Sequence, residues 1–314
     1  MTATVFIDGE VGTTGLQIRE RLENRSDISF LRLNENERKD ATRRAEMLNN
    51  ADVVILCLPD DAARDAVSMI ENDAVRVIDA SSAHRVADGW VYGMPEFDDA
   101  QAEKIAHAKR VTNPGCYAIT SVSILHPLVS HGLLPASYPV TINAISGYSG
   151  GGKGMIADFE ADGGQYADTP FRVYGLSLAH KHVPEITQWG GLENAPLFVP
   201  SIANFRQGMI VQVPLMLWSM EGNPTPWDVH DCLTTHYAGQ RFVKVKPLGE
   251  TAEMTGLEPE ELNGTNELHL HVFGNADTGQ AVVMGLIDNL GKGASGQAVQ
   301  NLNLMIGAAP DTGL

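Results

Sequence analysis

The sequence predicts an α/β protein in two parts: a doubly wound parallel sheet, then an α+β domain built on a mostly antiparallel sheet. Three observations carry that expectation. Short β-rich runs alternate with helical patterns over residues 1–115, which is how a parallel sheet covered by helices on both faces is written. Two of those runs, V-V-I-L-C-L from Val53 and V-R-V-I-D from Val75, are nearly continuous in apolar residues, as buried parallel strands are. Beyond Cys116 the strands lengthen, follow one another, and several alternate apolar with polar residues, the pattern of an antiparallel sheet with one covered face.

Taken in order, strands are expected over Thr4–Asp8, Ile28–Leu33, Val53–Leu58, Val75–Asp79 and Arg110–Thr112. Helical stretches near Leu16–Asn24, Ala41–Asn49 and Asp61–Glu71 separate them. A helix over Tyr117–Leu128 leads into strands at Val140–Ser146, Met209–Trp218, Leu268–Asn275 and Gln280–Ile287. Ser295–Met305 is helical again and polar on one side. The expected domains are 1–115, joined by a C-terminal helix within 293–314, and a catalytic and oligomerisation domain over 116–292. At 314 residues, 43% hydrophobic and 19% charged, the chain can fill both cores.

A net charge of −17 argues against nucleic acid or an anionic membrane as partner, while leaving small anionic substrates open. No apolar run reaches the roughly 18 residues of a membrane span. The opening M-T-A-T-V-F-I-D-G enters a strand without a basic leader, so a cytoplasmic protein is expected. Three cysteines, an odd number without a close pair, do not make a disulfide framework. Cys57 in an apolar strand and Cys232 in an amphipathic helical pattern read as packing thiols. Cys116 alone has the surroundings of a reactive one.

Gly9-Glu-Val-Gly12-Thr13-Thr14-Gly15 follows the first strand and opens the first helix. There, exposed helix amides can hold a phosphate that glycines allow to approach. The spacing departs from G-x-G-x-x-G, so its position carries the argument and makes the first part a Rossmann-type dinucleotide-binding domain. At the end of the second strand, Arg38 and Lys39 suit a 2′-phosphate, whereas Glu35 suits a ribose hydroxyl. The balance leans to NADP.

In Asn113-Pro-Gly-Cys116, Pro114 and Gly115 make a turn at the end of the fifth strand, and Cys116 stands where a helix begins. Helix amides and the dipole stabilise a thiolate there, and the same amides can serve an oxyanion. A thiolate attacking an acyl compound needs a proton partner. His180-Lys-His182-Val-Pro-Glu185 supplies the candidates, with Pro184 suited to the first helical position and Glu185 to the first turn. Two residues apart in an extended lead-in, His180 and His182 are expected to point to opposite sides. His269 and His271 alternate along a strand and are expected on its polar face, where surface and functional roles are equally open. The segment S-G-Y-S-G-G-G-K-G, Ser146–Gly154, is either a flexible loop or an anion cradle completed by Lys153. Gly154 after the lysine breaks the ATPase phosphate-loop pattern.

Together these stretches resemble the N-acetyl-γ-glutamyl-phosphate reductase family of arginine biosynthesis, within the larger group that includes aspartate-semialdehyde dehydrogenase. The resemblance runs through I-D-G-E-V-G-T-T-G-L, D-A-S-S-A-H-R (Asp79–Arg85), Y-G-M-P-E (Tyr92–Glu96), N-P-G-C-Y, S-G-Y-S-G-G-G-K, H-K-H-V-P-E-I, N-F-R-Q-G-M (Asn204–Met209) and D-N-L-G-K-G-A-S-G-Q-A-V-Q-N (Asp288–Asn301). Length and N-F-R-Q-G-M look like the shorter of the family's two sequence types. The resemblance implies an NADPH-dependent oxidoreductase working as a homodimer or homotetramer on a small-molecule substrate, with no metal. It implies that Cys116 displaces phosphate to form a thioester, that His180 or His182 moves the proton, and that Glu185 orients it. It assigns Arg85, Asn113, Ser149, Gly150 and Lys153 to the substrate. Gly9, Gly12, Thr13, Thr14, Gly15, Arg38, Ser81, Asn289, Gly293 and Ala294 fall to the cofactor. His84 departs from the aromatic residue usual in the longer type, which leaves its role open. Aspartate-semialdehyde dehydrogenase, a metal-dependent hydrolase built on His180, His182 and Glu185, and a non-catalytic cofactor-binding regulator are the alternatives.

Overall fold

Strand β1 (Ala3–Asp8) buries Val5, Phe6, Ile7 and Asp8 in succession, which requires cover on both faces of its sheet. The structure is a computed structural model, described here over residues 2–314. The elements after β1 are α1 (Thr13–Leu22), β2 (Ile28–Leu31), α2 (Ala41–Asn50), β3 (Val53–Leu56), α3 (Asp60–Ser68) and β4 (Arg76–Asp79). Then come β5 (Val91–Tyr92), α4 (Gln101–His107) and β6 (Arg110–Thr112). The six strands pair in the order β2-β1-β3-β4-β6-β5, every pair parallel. Alternate residues feed two cores. Val5, Ile7, Val53, Ile55 and Ile78 pack with Ile18 of α1 and with Val299 and Leu302 of a C-terminal helix, Gly296–Ile306. Phe6, Val54, Leu56 and Val77 pack with Leu48 of α2 and Ala63 of α3. Asp40 caps α2 through Thr42 N and Arg43 N. Met1–Gly115 and Ala294–Leu314 form one compact unit, Cys116–Gly293 a second.

The second unit opens with α5 (Cys116–Ser130), buried at every position from Tyr117 to Leu125, as a helix apolar all round must be. Gly285 admits it: a Cβ there would overlap the Thr120 methyl. Then follow β7 (Thr141–Gly147), α6 (Gly152–Glu160), β8 (Phe171–Val173), α7 (Val183–Trp189), β9 (Leu197–Ala203) and β10 (Met209–Met216). The last are α8 (Pro226–His236), β11 (Val243–Val245), α9 (Leu248–Thr251), β12 (Leu268–Asn275) and β13 (Gln280–Ile287). Seven strands pair in the order β11-β12-β13-β10-β7-β9-β8, antiparallel except for β11/β12 and β7/β9. The expected fold class is therefore the one observed.

Two local expectations give way. Ser146–Gly154 is not a flexible loop: a 3₁₀ turn, Tyr148–Gly151, runs into α6. His269 and His271 do not lie on a wet face, since β12 is buried on both faces over Leu268–Val272. Alternation in L-H-L-H-V marks two covered faces of different polarity. No helix among the described residues is long and apolar enough to cross a membrane.

Candidate active site

The glycine loop is built for a backbone that must be approached. Gly9 has φ +91, and a Cβ there would overlap the Cys57 carbonyl oxygen. A Cβ on Gly15 would lie 2.6 Å from the Gly9 oxygen. Gly12 is the N-cap of α1 and offers no side chain to the first-turn amides. Thr13 Oγ1, beside them, is buried with no hydrogen-bond partner among the described residues. Uncapped amides and an orphaned buried hydroxyl fit a phosphate group of a dinucleotide. Beyond the loop lies a cavity of about 190 Å³ lined by Gly9, Glu10, Arg32, Arg38, Arg44 and Leu58, among others. Arg38 meets Glu10 at 3.3 Å, and Arg44 holds Asp8 at 2.7 Å. Arg32, just past β2, and Arg44, of α2, also line this cavity, and no sequence motif marks either of them.

Other candidates of the first unit are engaged internally. Ser81 Oγ donates to Asp79 Oδ2 at 2.7 Å and accepts from Ala83 N. Asn113 Nδ2 donates to the Ala294 oxygen at 3.0 Å, while its Oδ1 accepts from Asn301 Nδ2 at 3.1 Å. Asn113 therefore braces the turn before the cysteine. Arg85 is 7% exposed and donates to the Ala80 oxygen at 3.3 Å.

In the second unit Cys116 is the first residue of α5. Gly293 lies against it: a Cβ on Gly293 would be 2.9 Å from the Cys116 Cβ. The next residue, Tyr117, sits edge-on to His180, His182 and Phe198, with ring centroids 5.9, 5.7 and 5.3 Å away. Tyr174 Oη donates to Tyr117 Oη at 3.2 Å, and Tyr117 Oη to the Ser201 oxygen at 3.4 Å. Burial pushes Tyr117 well above an ordinary phenol and Tyr174 up to about 12, with the neighbouring Cys116 adding to both. Both phenols stay protonated at neutral pH.

The two histidines do not diverge, contrary to the extended reading. A turn, Val183 N to His180 O at 2.9 Å, folds the segment, and the rings lie 4.7 Å apart. His182 N donates to His180 Nδ1 at 3.2 Å, so neutral His180 carries its proton on Nε2. His182 and Glu185 are buried, at 5% and 1% exposure. Pro184 is the second residue of α7, not the first, with Glu185 in the first turn. Ser149, Gly150 and Asn289 form one cluster: Asn289 Nδ2 donates to Ser149 Oγ at 3.1 Å, and a Cβ on Gly150 would stand 3.2 Å from that amide. Lys153 is exposed at the start of α6.

The remaining thiols and imidazoles differ in kind. Burial pushes the Cys57 thiol up to about 12, helped by Asp79 and Asp8, and the Cys232 thiol up to about 11, helped by Asp231. Among the described residues no group of three or more His, Cys, Asp or Glu side chains is arranged to hold a metal ion.

A cysteine opening a buried helix, a pair of histidines on the following tyrosine, and a glycine cradle on a parallel sheet define a class. Residues 4–105 match the family model "Semialdehyde dehydrogenase, NAD binding domain", and residues 116–289 match "Semialdehyde dehydrogenase, dimerisation domain". The chain belongs to the semialdehyde dehydrogenase family. Within it the chain is 56% identical to the N-acetyl-gamma-glutamyl-phosphate reductase of Burkholderia ambifaria, over 97% of this chain and 96% of the relative. It is 53% identical to N-acetyl-gamma-glutamyl-phosphate reductase 2 of Pseudomonas putida, over 98% of each chain. Among solved structures it resembles aspartate semialdehyde dehydrogenase II of Vibrio cholerae, at 14% identity, TM-score 0.70 and 98% of each chain. It also resembles the aspartate semialdehyde dehydrogenase of Candida albicans with NADP, at 13% identity and TM-score 0.64, over 97% of this chain and 98% of that one. At such identities these two speak for the fold.

Proposed function

We propose that the protein reduces N-acetyl-γ-glutamyl phosphate to N-acetylglutamate 5-semialdehyde and phosphate, using NADPH, in arginine biosynthesis. The observation that carries the reading is the placement of Cys116 at the start of α5, followed by the tyrosine on which His180 and His182 pack. Near-full-length identity to the named reductases supports the substrate.

An acyl phosphate accepts a hydride poorly until sulfur replaces the phosphate. Cys116, as thiolate, attacks the acyl carbon; the carbon–oxygen bond to phosphate breaks, phosphate leaves, and a thioester remains. The amides of α5's first turn face the charge that develops on the carbonyl oxygen. His180 or His182 takes the thiol proton and lends it to the oxygen after reduction; Glu185 holds the pair in orientation. Ser149, Gly150 and Lys153 bind the substrate's anionic groups, with Arg85 and the Asn113 turn assigned to it from the first unit. NADPH would be held by Gly9, Gly12, Thr13, Thr14, Gly15 and Arg38, with Ser81, Asn289, Gly293 and Ala294, and would supply the hydride. The thiohemiacetal on Cys116 then returns its hydroxyl proton to the histidine, the carbon–sulfur bond breaks, and the aldehyde is released as Cys116 leaves as thiolate. The assembly is a homodimer or homotetramer acting in the cytoplasm, and the family's dimerisation domain spans 116–289.

The test is phosphate-dependent reduction of NADP by the purified protein with N-acetylglutamate semialdehyde, set beside aspartate semialdehyde and NAD. Turnover that requires the acetylated aldehyde, NADP and phosphate is expected. Preference for aspartate semialdehyde would move the chain to the sister activity and overturn the reading.

A further inference from the structure

Asp79 ends β4 at the carboxyl edge of the first sheet and is completely buried, at 0% exposure. Its carboxylate gathers the loop that follows. Ser81 N donates to Oδ1 at 2.8 Å, Ser81 Oγ donates to Oδ2 at 2.7 Å, and His84 Nδ1 lies 2.6 Å from Oδ2. The Asp79 backbone oxygen accepts Asn113 N at 2.7 Å, so the same residue fastens the turn that leads to the cysteine.

An ionised carboxylate only accepts, so His84 Nδ1 carries its proton toward Asp79. The imidazole also lies flat on Trp90, with centroids 4.2 Å apart and planes 14° from parallel. Turning the ring would lose both contacts. Its other nitrogen, Nε2, has no hydrogen-bond partner among the described residues and is not sealed from solvent. Arg85, the next residue, folds its guanidinium back to the Ala80 oxygen. Two consecutive side chains thus converge on Asp79-Ala80, and the histidine is held with one nitrogen free to meet a ligand.

We infer that His84 is a second phosphate-binding residue: Asp79 and Trp90 fix the ring so that Nε2 meets an oxygen of the phosphoryl group assigned to Arg85. The inference rests on the acyl-phosphate reading above. One proton lies between Nε2 and the phosphate oxygen, brought by either partner. In this pairing Asp79 acts as a positioning residue.

His84→Asn separates the contact from the scaffold, because the amide Nδ2 replaces Nδ1 as donor to Asp79 while Nε2 is lost. In the phosphate-dependent oxidation of the aldehyde, this variant should raise the KM for phosphate by about 10- to 100-fold, the scale of a charge-assisted hydrogen bond. The KM for the aldehyde should stay within about threefold. His84→Gln, whose amide reaches the Nε2 position, should recover part of the loss. Titration of wild type and His84→Asn with inorganic phosphate, followed by calorimetry, reads the contact independently of turnover. Weaker phosphate binding in the variant supports the assignment. Equal phosphate affinity, or a proportional rise in both KM values, overturns it. Wild type that binds phosphate through His84 yet fails to oxidise the aldehyde would sink the proposed reaction and leave the contact standing.

Discussion

In the proposed reaction the chemistry at Cys116 depends on what stands at the first position of α5 and on how little room surrounds it. Gly293 leaves space for the Cys116 Cβ, and Tyr117 carries the histidine pair. Cys57 and Cys232 lack that setting, and burial holds both as thiols. Cys116→Ser changes one atom and keeps the packing. Turnover should fall on the order of 1000-fold or more, because a serine alkoxide is not reached at neutral pH. NADPH affinity, measured by fluorescence titration, should hold. Near-normal turnover would remove the thioester route. The histidines teach a different lesson at this scale. Their identity and spacing are legible in the sequence, and an extended backbone would make them diverge. The turn that closes His180 O onto Val183 N brings the rings to one side instead. A two-residue spacing states the relation of side chains only once the backbone between them is known.

At the scale of the element, the N-terminus of α1 shows a conflict between helix and ligand. Gly12 is the N-cap, with φ −70 and ψ 166, a conformation that Ser or Asp adopts readily. A Cβ there would stand 3.4 Å from the Gly9 oxygen, which is tolerable. Backbone strain therefore does not explain the glycine; in the proposed cofactor site, access to the amides does. Gly12→Asp should cap the helix at a gain of a few tenths of a kcal/mol, a rise in melting temperature of about 1 °C or less. It should weaken NADPH binding about tenfold or more by placing a carboxylate against phosphate. Unchanged cofactor affinity would deny the loop its role. The same distinction separates what was legible along the chain. Strands β12 and β13 have the boundaries read from the sequence, because eight alternating or apolar residues bounded by Asn and Gly need no partner to be recognised. Strands β5, β8 and β11, two or three residues long, exist because a neighbour pairs with them. Glycines hid the 3₁₀ turn and α6, and Arg38 and Arg44, around the cavity beyond Gly9, are 28 and 36 residues apart in sequence from the acids they join.

Over the whole molecule, buried ionisable groups set how folding stability depends on pH, and His271 is the clearest case. Burial in β12 lowers its pKa from 6.5 to about 4, with His269 and Lys246 acting in the same direction. Above about pH 6.5 the ring is neutral in folded and unfolded chains alike, and its burial carries no proton-linked penalty. As the pH falls below that, the unfolded chain takes up a proton that the folded ring refuses. Stability is lost progressively through the folded value near 4, below which both states are protonated and the loss stops. After allowance for solvent screening, the loss is roughly 2 kcal/mol. The −17 net charge acts in the opposite sense, since protonating carboxylates relieves repulsion as acid is added. A pairwise comparison isolates the histidine. His271→Phe keeps an aromatic ring against Phe273, which the imidazole already stacks on at 6.1 Å and 7°. Between pH 7 and pH 4, wild type should lose about 2 kcal/mol more than the variant in urea unfolding. Parallel curves for the two proteins would mean that His271 protonates in the folded state as readily as in the unfolded chain.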